Sequence, residues 1–578
     1  MKTSLRKRGQ KFVKRFSRAS LKASEESKEH IKENVLERVS HIANVKLLVL
    51  EWGLMVMALI MLAVTQAFWF NASYAEETFV AGGTYTEATV GRVNSLNPLF
   101  ATTNSEKVLS RLMFAPLVAT DYSGNVGYGL ANALSANEDG KIWKVKLREG
   151  LKWSDGVPLT NEDVLFTVAL IQNPVVNSIY EPNLENVKVS ENESGEIVFE
   201  LASSYADFAS ALEIPIVPKH ELDDATLKTL VEDSFSVEPV TSGAFSYNAV
   251  QATATTGEEI YYLSANSNYY KGVPMLGSFA VRTYLDKDSI VAGVNGKQVT
   301  ATAELSGLEA DKVVAGGYEM KKTAINSGAF AFFNTNSANM RNKDLRRAIR
   351  SGLNMETLRG AVSDPEPLDY PLISSQIQLE AYPEITRYNL ETAREQVAAV
   401  LAGTRPEISV ATVNSGYLPL VSNALVEQLQ ALGLEAKLNV YEENQEFVAN
   451  VIAKRNYDIL VYEVELGADP DPLPYYHSSQ ASGSGLNLSN YRNTLVDDLL
   501  VGARETLDTT LRAKKYESFL EYWVDDVPAI GLYRGSMTYI YNSNTRNYND
   551  RMHLVTPFGR FIDVEQWGVA RGSKNLTP

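Results

Sequence analysis

From residue 407 to residue 466 the chain alternates between apolar runs of strand length and segments with a helical period. The segments EISVATV (407–413) and LEAKLNVYE (434–442) are typical of strands, and a third apolar run covers 459–466. A first helix, which ends at Gly433, and a shorter helix around 447–453 separate these strands. The repeated helical positions are Val421, Leu425, Leu429 and Leu432. This β-α-β-α-β order predicts a parallel sheet with right-handed crossovers.

Helical periods also dominate the preceding segment, residues 340–403. Leu345, Ile349 and Leu353 recur every four residues, and Gly360 ends that run. A second helix is expected to begin after Asn389, a good N-cap, and to end at Gly403. Its predicted apolar face consists of Leu390, Ala393, Val397 and Leu401.

Residues 79–300 have a different pattern, which is mainly one of short strands and turns. KIWKVKLREGLKWSDG (141–156) and EIVFELA (196–202) alternate apolar and polar positions. One helix, Asn161–Ile171, is predicted here, opened by an asparagine cap. The chain is therefore of the α/β class.

The segment WGLMVMALIMLAVTQAFWF (52–70) carries no charge over 19 residues. As a helix it would span about 28 Å, close to the roughly 30 Å of a bilayer core. Trp52 and Trp69 stand near its ends, as interfacial aromatics do. It is either an uncleaved anchor or a long signal sequence cut after Ala75.

Charge differs sharply on the two sides of this segment. Residues 1–46 contain 13 Lys and Arg against 5 Asp and Glu, whereas the remaining residues contain 41 against 65. The positive-inside rule places the basic arm in the cytoplasm and the acidic bulk outside. The arm, with LRKRGQKFVKRFSR (5–18), either lies on anionic lipid as an amphipathic stretch or is a solvated tail.

Polar side chains cluster where two of the predicted parallel strands end. NSGY (414–417) follows the first strand and GADPDP (467–472) follows the third. Ligands of open α/β sheets bind beyond the carboxyl ends of the strands. Glu463 and Glu465 precede the second segment and share one face of the strand, because side chains two residues apart point to the same side. We expect their carboxylates to be satisfied structurally, by partners within the protein.

The sequence shows no motif that would support catalysis. There is no cysteine, no GxSxG, no HExxH and no GxxxxGK[ST] motif. After the apolar segment the histidines are His220, His477 and His553, without metal-ligand spacing. An oxygen-only Ca²⁺ site in DPDP lacks the EF-hand spacing, and a solvated Asp-Pro turn is the simplest alternative. We therefore predict no enzyme, no cofactor and no metal.

The segment WKVKLREGLKWSDGVPLTNEDVLFT (143–167) is the most specific of several segments that, taken in order, resemble the peptide/opine/nickel-type solute-binding proteins of ABC importers, bacterial family 5. The resemblance covers roughly residues 83–570. EPVTSGAFSY (238–247) departs from the family's usual turn at Ser242 and Ala244. Further matching segments are NSLNPLF (94–100), RNKDLRRAIRSGLN (341–354), NYDILVYEVELGADPDP (456–472) and VDDVPAIGLYR (524–534).

The resemblance implies a two-lobed clamp of the type II periplasmic-binding-protein kind with an extra subdomain, preceded by one N-terminal transmembrane helix. The expected divisions are a basic cytoplasmic arm (1–46), the anchor or signal segment (47–72), a first lobe (79–305 plus 516–570) and a second lobe (306–515). The inserted subdomain of the first lobe should cover about 120–215.

The same resemblance implies that Asp469 accepts the α-amino group of a bound peptide. Tyr462, Asn414, Ser415 and Tyr417 would line the cleft, and Asp471 would help to fix the loop. The function expected is the extracytoplasmic substrate-binding component of an ABC importer for oligopeptides. Its partners would be the permease, the ATPase and the membrane, without nucleic acid, and its ectodomain would be monomeric. Binding of an oligosaccharide, opine or metal chelate, or a membrane-anchored sensor or enzyme that reuses the clamp, are the alternatives.

If 52–70 is an uncleaved anchor, the mature protein should keep its basic arm and sediment with membranes. Mass analysis of the purified chain should then find the N-terminus ahead of the apolar segment. A mature N-terminus at Glu76 would contradict the anchor.

Overall fold

The computed structural model describes residues 46–121, 123–222, 234–253, 257–442, 445–483, 485–569 and 571–575. The chain divides into two compact units, residues 1–78 with 571–578, and residues 79–570. The first unit contains helix α1 (Lys46–Tyr74) and strands β1 (Ala75–Phe79) and β18 (Arg571–Asn575), which pair. Within α1, Leu48–Gln66 is long and apolar enough to cross a membrane. The basic arm lies outside the described residues.

The second unit combines strands and helices throughout. Its strands are β2 (Thr84–Val90), β3 (Val118–Thr120), β4 (Val126–Tyr128), β5 (Ala131–Ala136), β6 (Ile142–Leu147), β7 (Lys188–Glu191), β8 (Ile197–Glu200), β9 (Phe245–Ala252), β10 (Glu259–Ala265), β11 (Ser278–Tyr284), β12 (Ala301–Thr302), β13 (Tyr318–Phe333), β14 (Glu407–Val413), β15 (Glu435–Tyr441), β16 (Ile459–Glu465) and β17 (Ala529–Asn542). Its α-helices are α2 (Asn104–Met113), α3 (Asn161–Ile171), α4 (Glu181–Leu184), α5 (Phe208–Ala211), α6 (Lys219–Leu222), α7 (Lys287–Asn295), α8 (Leu308–Asp311), α9 (Lys343–Ser351), α10 (Met355–Arg359), α11 (Leu390–Leu401), α12 (Leu418–Ala431), α13 (Gln445–Phe447), α14 (Leu473–Tyr476), α15 (Thr494–Arg504) and α16 (Thr509–Asp526).

One ten-stranded sheet runs through the second unit in the order β15-β14-β16-β13-β17-β12-β2-β11-β10-β9. Strand β14 pairs in parallel with both β15 and β16, which confirms the parallel β-α-β-α-β prediction. A separate four-stranded antiparallel sheet, β5-β6-β8-β7, lies within the predicted inserted subdomain.

Three local predictions need correction. Helix α3 has the predicted bounds, but its N-cap is Thr160, whose backbone N–H donates to Asp163 at 2.8 Å, so the asparagine is the first helical residue. The run from 341 to 360 forms two helices, because α9 ends at Gly352 before Asn354 caps α10. Helix α11 is capped by Asn389 as predicted, but a left-handed Ala402 (φ 48°) forms its C-cap.

Two large hydrophobic cores divide the second unit into two lobes. The core of the first lobe takes residues from 85–325 and 537–567, and the core of the second lobe takes residues from 329–533. Tyr516, Phe519 and Trp523 of α16 are fully buried in the second core. The predicted return to the first lobe at residue 516 is therefore too early, because the chain crosses within β17.

Strands β13 and β17 cross between the lobes as an antiparallel pair, and their register breaks at the crossing. Ala324 pairs with Ser536 and Gly328 pairs with Arg534, so three residues of β13 oppose one residue of β17. That single residue is Gly535, where an added Cβ would fall on the Ser327 hydroxyl. The irregularity separates a first-lobe ladder from a second-lobe ladder.

The lobes also meet away from this crossing, between 204–207 of the inserted subdomain and the end of α15. The Ser204 hydroxyl donates to the Glu505 carbonyl at 2.9 Å, and the Ala206 N–H donates to the Arg504 carbonyl at 2.8 Å. The Arg504 guanidinium lies 5.4 Å from the centre of the Tyr205 ring. Polar and aromatic contacts therefore join the lobes here.

Asp207 stands in this contact facing charges of the second lobe. Burial raises the pKa of its carboxyl to about 8, and the carboxylates of Asp469 and Asp471 act in the same direction. The Ser210 hydroxyl and the Arg512 guanidinium oppose that rise without cancelling it. The folded protein therefore holds a proton on Asp207 near neutral pH.

This proton makes stability depend on pH. Because the folded pKa of Asp207 exceeds the ordinary value of 3.8, its contribution to stability is present at low pH and is lost as pH rises to about 8. We predict that Asp207→Asn removes this loss. The melting temperature of the wild type should fall by about 2 °C more than that of the variant between about pH 5 and about pH 8.5.

The control is Asp498→Asn, which changes an exposed carboxylate on α15 and should keep the wild-type pH profile. Parallel profiles for the wild type and Asp207→Asn would contradict the assignment.

Candidate functional site

A cavity of about 1100 Å³ lies between the two lobes, beside the crossing of β13 and β17. We call it the larger cavity. First-lobe side chains reach it from α2 and from Ser306, and second-lobe side chains reach it from the ends of β14 and β16. Its lining includes Asn104, Lys107, Ser306, Lys322, Ile325, Ser327, Glu366, Ser415, Tyr417, Tyr462, Glu463, Glu465, Tyr475, Tyr533, Arg534, Gly535 and Thr538.

The turn after β14 brings two of the predicted residues to this cavity. Gly416 adopts φ 53°, a left-handed conformation that glycine tolerates, and the chain then enters α12 at Leu418. Ser415 and Tyr417, on either side of the glycine, both line the cavity, as does Tyr462 on β16. The structure thus brings these three residues together, and their contact with a ligand stays a prediction.

Glu463 and Glu465 occupy the same side of β16, and both line the larger cavity. Glu463 accepts a short hydrogen bond from the Ser327 hydroxyl, so it is satisfied as predicted. The exposed carboxylate of Glu465 accepts no hydrogen bond and forms no ion pair among the described residues. Burial, with the Glu465 carboxylate nearby, raises the pKa of the Tyr475 hydroxyl.

Asp469 does not line the larger cavity. Its two carboxylate oxygens contact the Arg512 guanidinium, one of them at 2.6 Å, and both side chains are about nine-tenths buried. This geometry disagrees with the prediction of a carboxylate free to receive a ligand, because a bidentate arginine already neutralises it. Its role as the ligand's anchor stays a prediction that a binding experiment must decide.

Asp471 and Asn414 likewise face partners outside the larger cavity. Asp471 pairs with Arg504 at 2.6 Å and accepts the Leu473 N–H at 3.0 Å, as expected of a residue that fixes its loop. Asn414 donates to Glu442 at 3.1 Å, at the end of β15. Since arginines hold both aspartates of DPDP, these carboxylates do not form the Ca²⁺ site considered above.

The sequence reasoning missed several charged residues of the larger cavity, because they come from the crossing strands and not from the ends of the parallel strands. Arg534 donates to the Ile325 carbonyl at 2.9 Å and to Asn326 Oδ1 at 3.0 Å, and it pairs with Glu366 at 2.9 Å. Lys322 donates to the Asp364 carbonyl at 2.7 Å. Arg534 therefore supplies hydrogen bonds that the irregular stretch of β13 loses.

A smaller cavity of about 400 Å³ shares Lys107 and Glu465 with the larger one. Its walls are mainly apolar and belong to the first lobe: Phe114, Ile179, Tyr180, Met552, Leu554, Phe558 and Ile562. Arg111 and Glu213 pair within it at 3.0 Å. Burial lowers the pKa of His553, another lining residue, so its imidazole is neutral at pH 7.

Among the described residues, a group of three side chains outside both cavities has the geometry to hold a metal ion. Ligand atoms of Asp155, His220 and Glu221 all lie within 4.8 Å of one another, and all three residues are exposed. The spacing of 65 residues between the aspartate and the histidine gave no sequence signal. Neither cavity contains these residues.

Comparison with known proteins identifies the family. The model of "Bacterial extracellular solute-binding proteins, family 5 Middle" matches residues 116–487, more than half of the chain. The oligopeptide-binding protein AppA of Bacillus subtilis is 24% identical over 520 residues, which cover 85% of this chain and 92% of AppA. Protein XP55 of Streptomyces lividans is 26% identical over 445 residues, covering 72% of this chain and 77% of XP55.

Solved structures show the same fold at low identity. AppA from Bacillus subtilis in complex with a nonapeptide has a TM-score of 0.70 and 21% identity, covering 85% of this chain and all of that one. NikZ from Campylobacter jejuni in complex with Ni(L-His) has a TM-score of 0.71 and 20% identity, covering 84% and 99%. This chain is a type II periplasmic-binding-protein clamp and belongs to the bacterial extracellular solute-binding proteins of family 5.

Proposed function

We propose that this protein is the extracytoplasmic substrate-binding component of an ABC importer and that it binds oligopeptides in the larger cavity. The observation that carries the proposal is the cavity itself, which has walls from both lobes and charged groups of both signs. Its volume of about 1100 Å³ slightly exceeds the range of small-molecule pockets, which reach roughly 1,000 Å³.

The chemistry of the lining suits a peptide. Hydroxyl, carboxylate, ammonium and guanidinium groups all line it, and a peptide offers complementary donors and acceptors along its backbone together with charged ends. An extended peptide next to strand ends can add backbone hydrogen bonds that do not depend on its side chains. AppA, named as an oligopeptide-binding protein and solved with a nonapeptide, supports this choice.

Other solutes are the nearest alternatives, because the fold accommodates them. NikZ was solved with Ni(L-His), and a further structure of the same fold, AgaA, contains agropinic acid. The larger cavity has no histidine among its described lining residues, which disfavours a nickel chelate. Its many hydroxyls would suit an oligosaccharide, so direct comparison of ligands is needed.

Closure of the lobes would follow from the crossing strands. Ile325, Ser327 and Gly535 line the larger cavity at the place where the register of β13 and β17 breaks. A few residues of this kind absorb the backbone change in hinge closure. A ligand that contacts both lobes therefore favours the closed arrangement.

The remaining parts of the proposal concern place and partners. We infer that α1 anchors the chain with its basic arm in the cytoplasm, and that the clamp delivers peptide to a permease driven by an ATPase. The clamp acts as a monomer, binds no nucleic acid and returns its ligand chemically unchanged. The family membership and the apolar stretch of α1 support this placement.

The test is to offer the full-length chain, held in lipid nanodiscs, a library of di- to hexapeptides beside oligosaccharides, agropinic acid and Ni(L-His). Native mass spectrometry should show peptides retained, and released with unaltered mass. Retention of one of the other solutes, with no peptide bound, would contradict the proposal.

A substitution in its wall tests whether the peptide binds in the larger cavity. Tyr417→Ala removes part of the cavity wall and should weaken peptide binding by about tenfold, measured by calorimetry on a retained peptide. Tyr388→Ala is the matched control, because Tyr388 is 49% exposed and outside both cavities. Equal affinities for the two variants would place the peptide elsewhere.

A further inference from the structure

Two charged side chains stand at the junction of the larger and smaller cavities. Lys107 and Glu465 line both cavities. Among the residues that the structure describes, the Lys107 ammonium has no hydrogen bond or ion pair and lies 5.7 Å from the centre of the Phe558 ring. The Glu465 carboxylate also lacks such a partner, and the two do not pair with each other.

Most other charges around the cavities are already engaged within the protein. Arg534 pairs with Glu366, and Arg111 pairs with Glu213. Lys322 donates to backbone carbonyls and Glu463 accepts from Ser327. The Asp364 carboxylate lies near the Lys322 ammonium, where it opposes the lowering of the Lys322 pKa by burial, and it lines only the larger cavity. The junction is therefore where unsatisfied charge of both signs comes together.

The two junction residues belong to different lobes. Lys107 lies on α2, whose apolar side chains are buried in the first core. Glu465 is the last residue of β16, which is part of the second core. A ligand that contacts both side chains must bridge the lobes, which couples recognition of its charges to closure.

We propose that Glu465 receives the terminal ammonium of a bound peptide and that Lys107 receives its terminal carboxylate. This assignment rests on the proposed function and narrows it to short peptides whose two termini are both free and charged. Such a peptide would span from Glu465 of the second lobe to Lys107 of the first, with its side chains in the polar larger cavity and the apolar smaller one.

The neighbouring aspartate is a poorer anchor for physical reasons. A ligand ammonium could reach Asp469 only by competing with the bidentate Arg512, which is buried beside it. Displacing that guanidinium would leave a buried positive charge without its partner, which is strongly unfavourable. Glu465 offers an exposed carboxylate whose hydrogen bonds are not yet made.

The test uses the full-length chain in nanodiscs and a retained tripeptide in free, N-acetylated and C-amidated forms. For the wild type, each modification should weaken binding by about tenfold or more, since each removes a charge-assisted bond. Glu465→Gln should bind free tripeptide about tenfold more weakly than wild type and should lose its sensitivity to acetylation only. Lys107→Gln should lose its sensitivity to amidation only.

Matched controls are Glu446→Gln and Lys437→Gln, exposed charges outside both cavities, which should bind all three forms as the wild type does. Melting curves check that each variant is folded. The assignment is overturned if Glu465→Gln keeps wild-type sensitivity to acetylation, or if Asp469→Asn loses that sensitivity instead. A wild type that binds no peptide in any form contradicts the proposed function, and a wild type equally tight for all three forms contradicts only the junction.

Discussion

The pairing of β13 with β17 is the constraint on which the other features of the clamp depend. These two strands continue from the ladder of the first lobe into that of the second, and three residues of β13 oppose one of β17 where they cross. In that stretch Arg534 donates hydrogen bonds to the Ile325 carbonyl and to Asn326 Oδ1, and Gly535 leaves room for the Ser327 hydroxyl. The larger cavity forms beside this crossing because two independently packed cores diverge from it.

Arginine–carboxylate pairs then decide which acids remain available to a ligand. The pair of Arg512 with Asp469 is nearly buried, and breaking such a pair costs about 3–5 kcal/mol because one charge stays uncompensated. Burial by itself would lower the pKa of Arg512, but its bonds to Asp469 outweigh that effect and raise it. The ion pairs of its two aspartates thus hold the DPDP loop in place. Glu465, four residues before Asp469, has a carboxylate that accepts no hydrogen bond and forms no ion pair among the described residues.

Local patterns in the sequence predicted the elements whose periodicity reports burial. The three parallel strands and α12 were predicted because their apolar residues repeat every two or every 3.6 positions. The turn after β14 was found for the same reason, and it placed Ser415 and Tyr417 at the cavity. The two-lobed clamp came from the family resemblance, which orders many weak segments at once.

Contacts between distant residues were not predictable in this way. Arg512 is 43 residues from Asp469, and no spacing rule pairs them, so the aspartate looked free. Periodicity identified α16 without showing that its buried face belongs to the second core. Glu465 was assigned a structural role together with Glu463, since strand period shows a shared face but not which carboxylate finds a partner.

The most direct measurement for the central claim, that ligand binds between the lobes at the crossing strands, is hydrogen exchange with and without a retained peptide. Peptide should slow exchange of the backbone amides around 324–327 and 533–536 on the crossing strands, around 414–418 and 462–466 in the second lobe, and around 104–108 in the first lobe. Protection confined to 376–380 and 509–517, which line a separate cavity together with Asp469, would contradict the account.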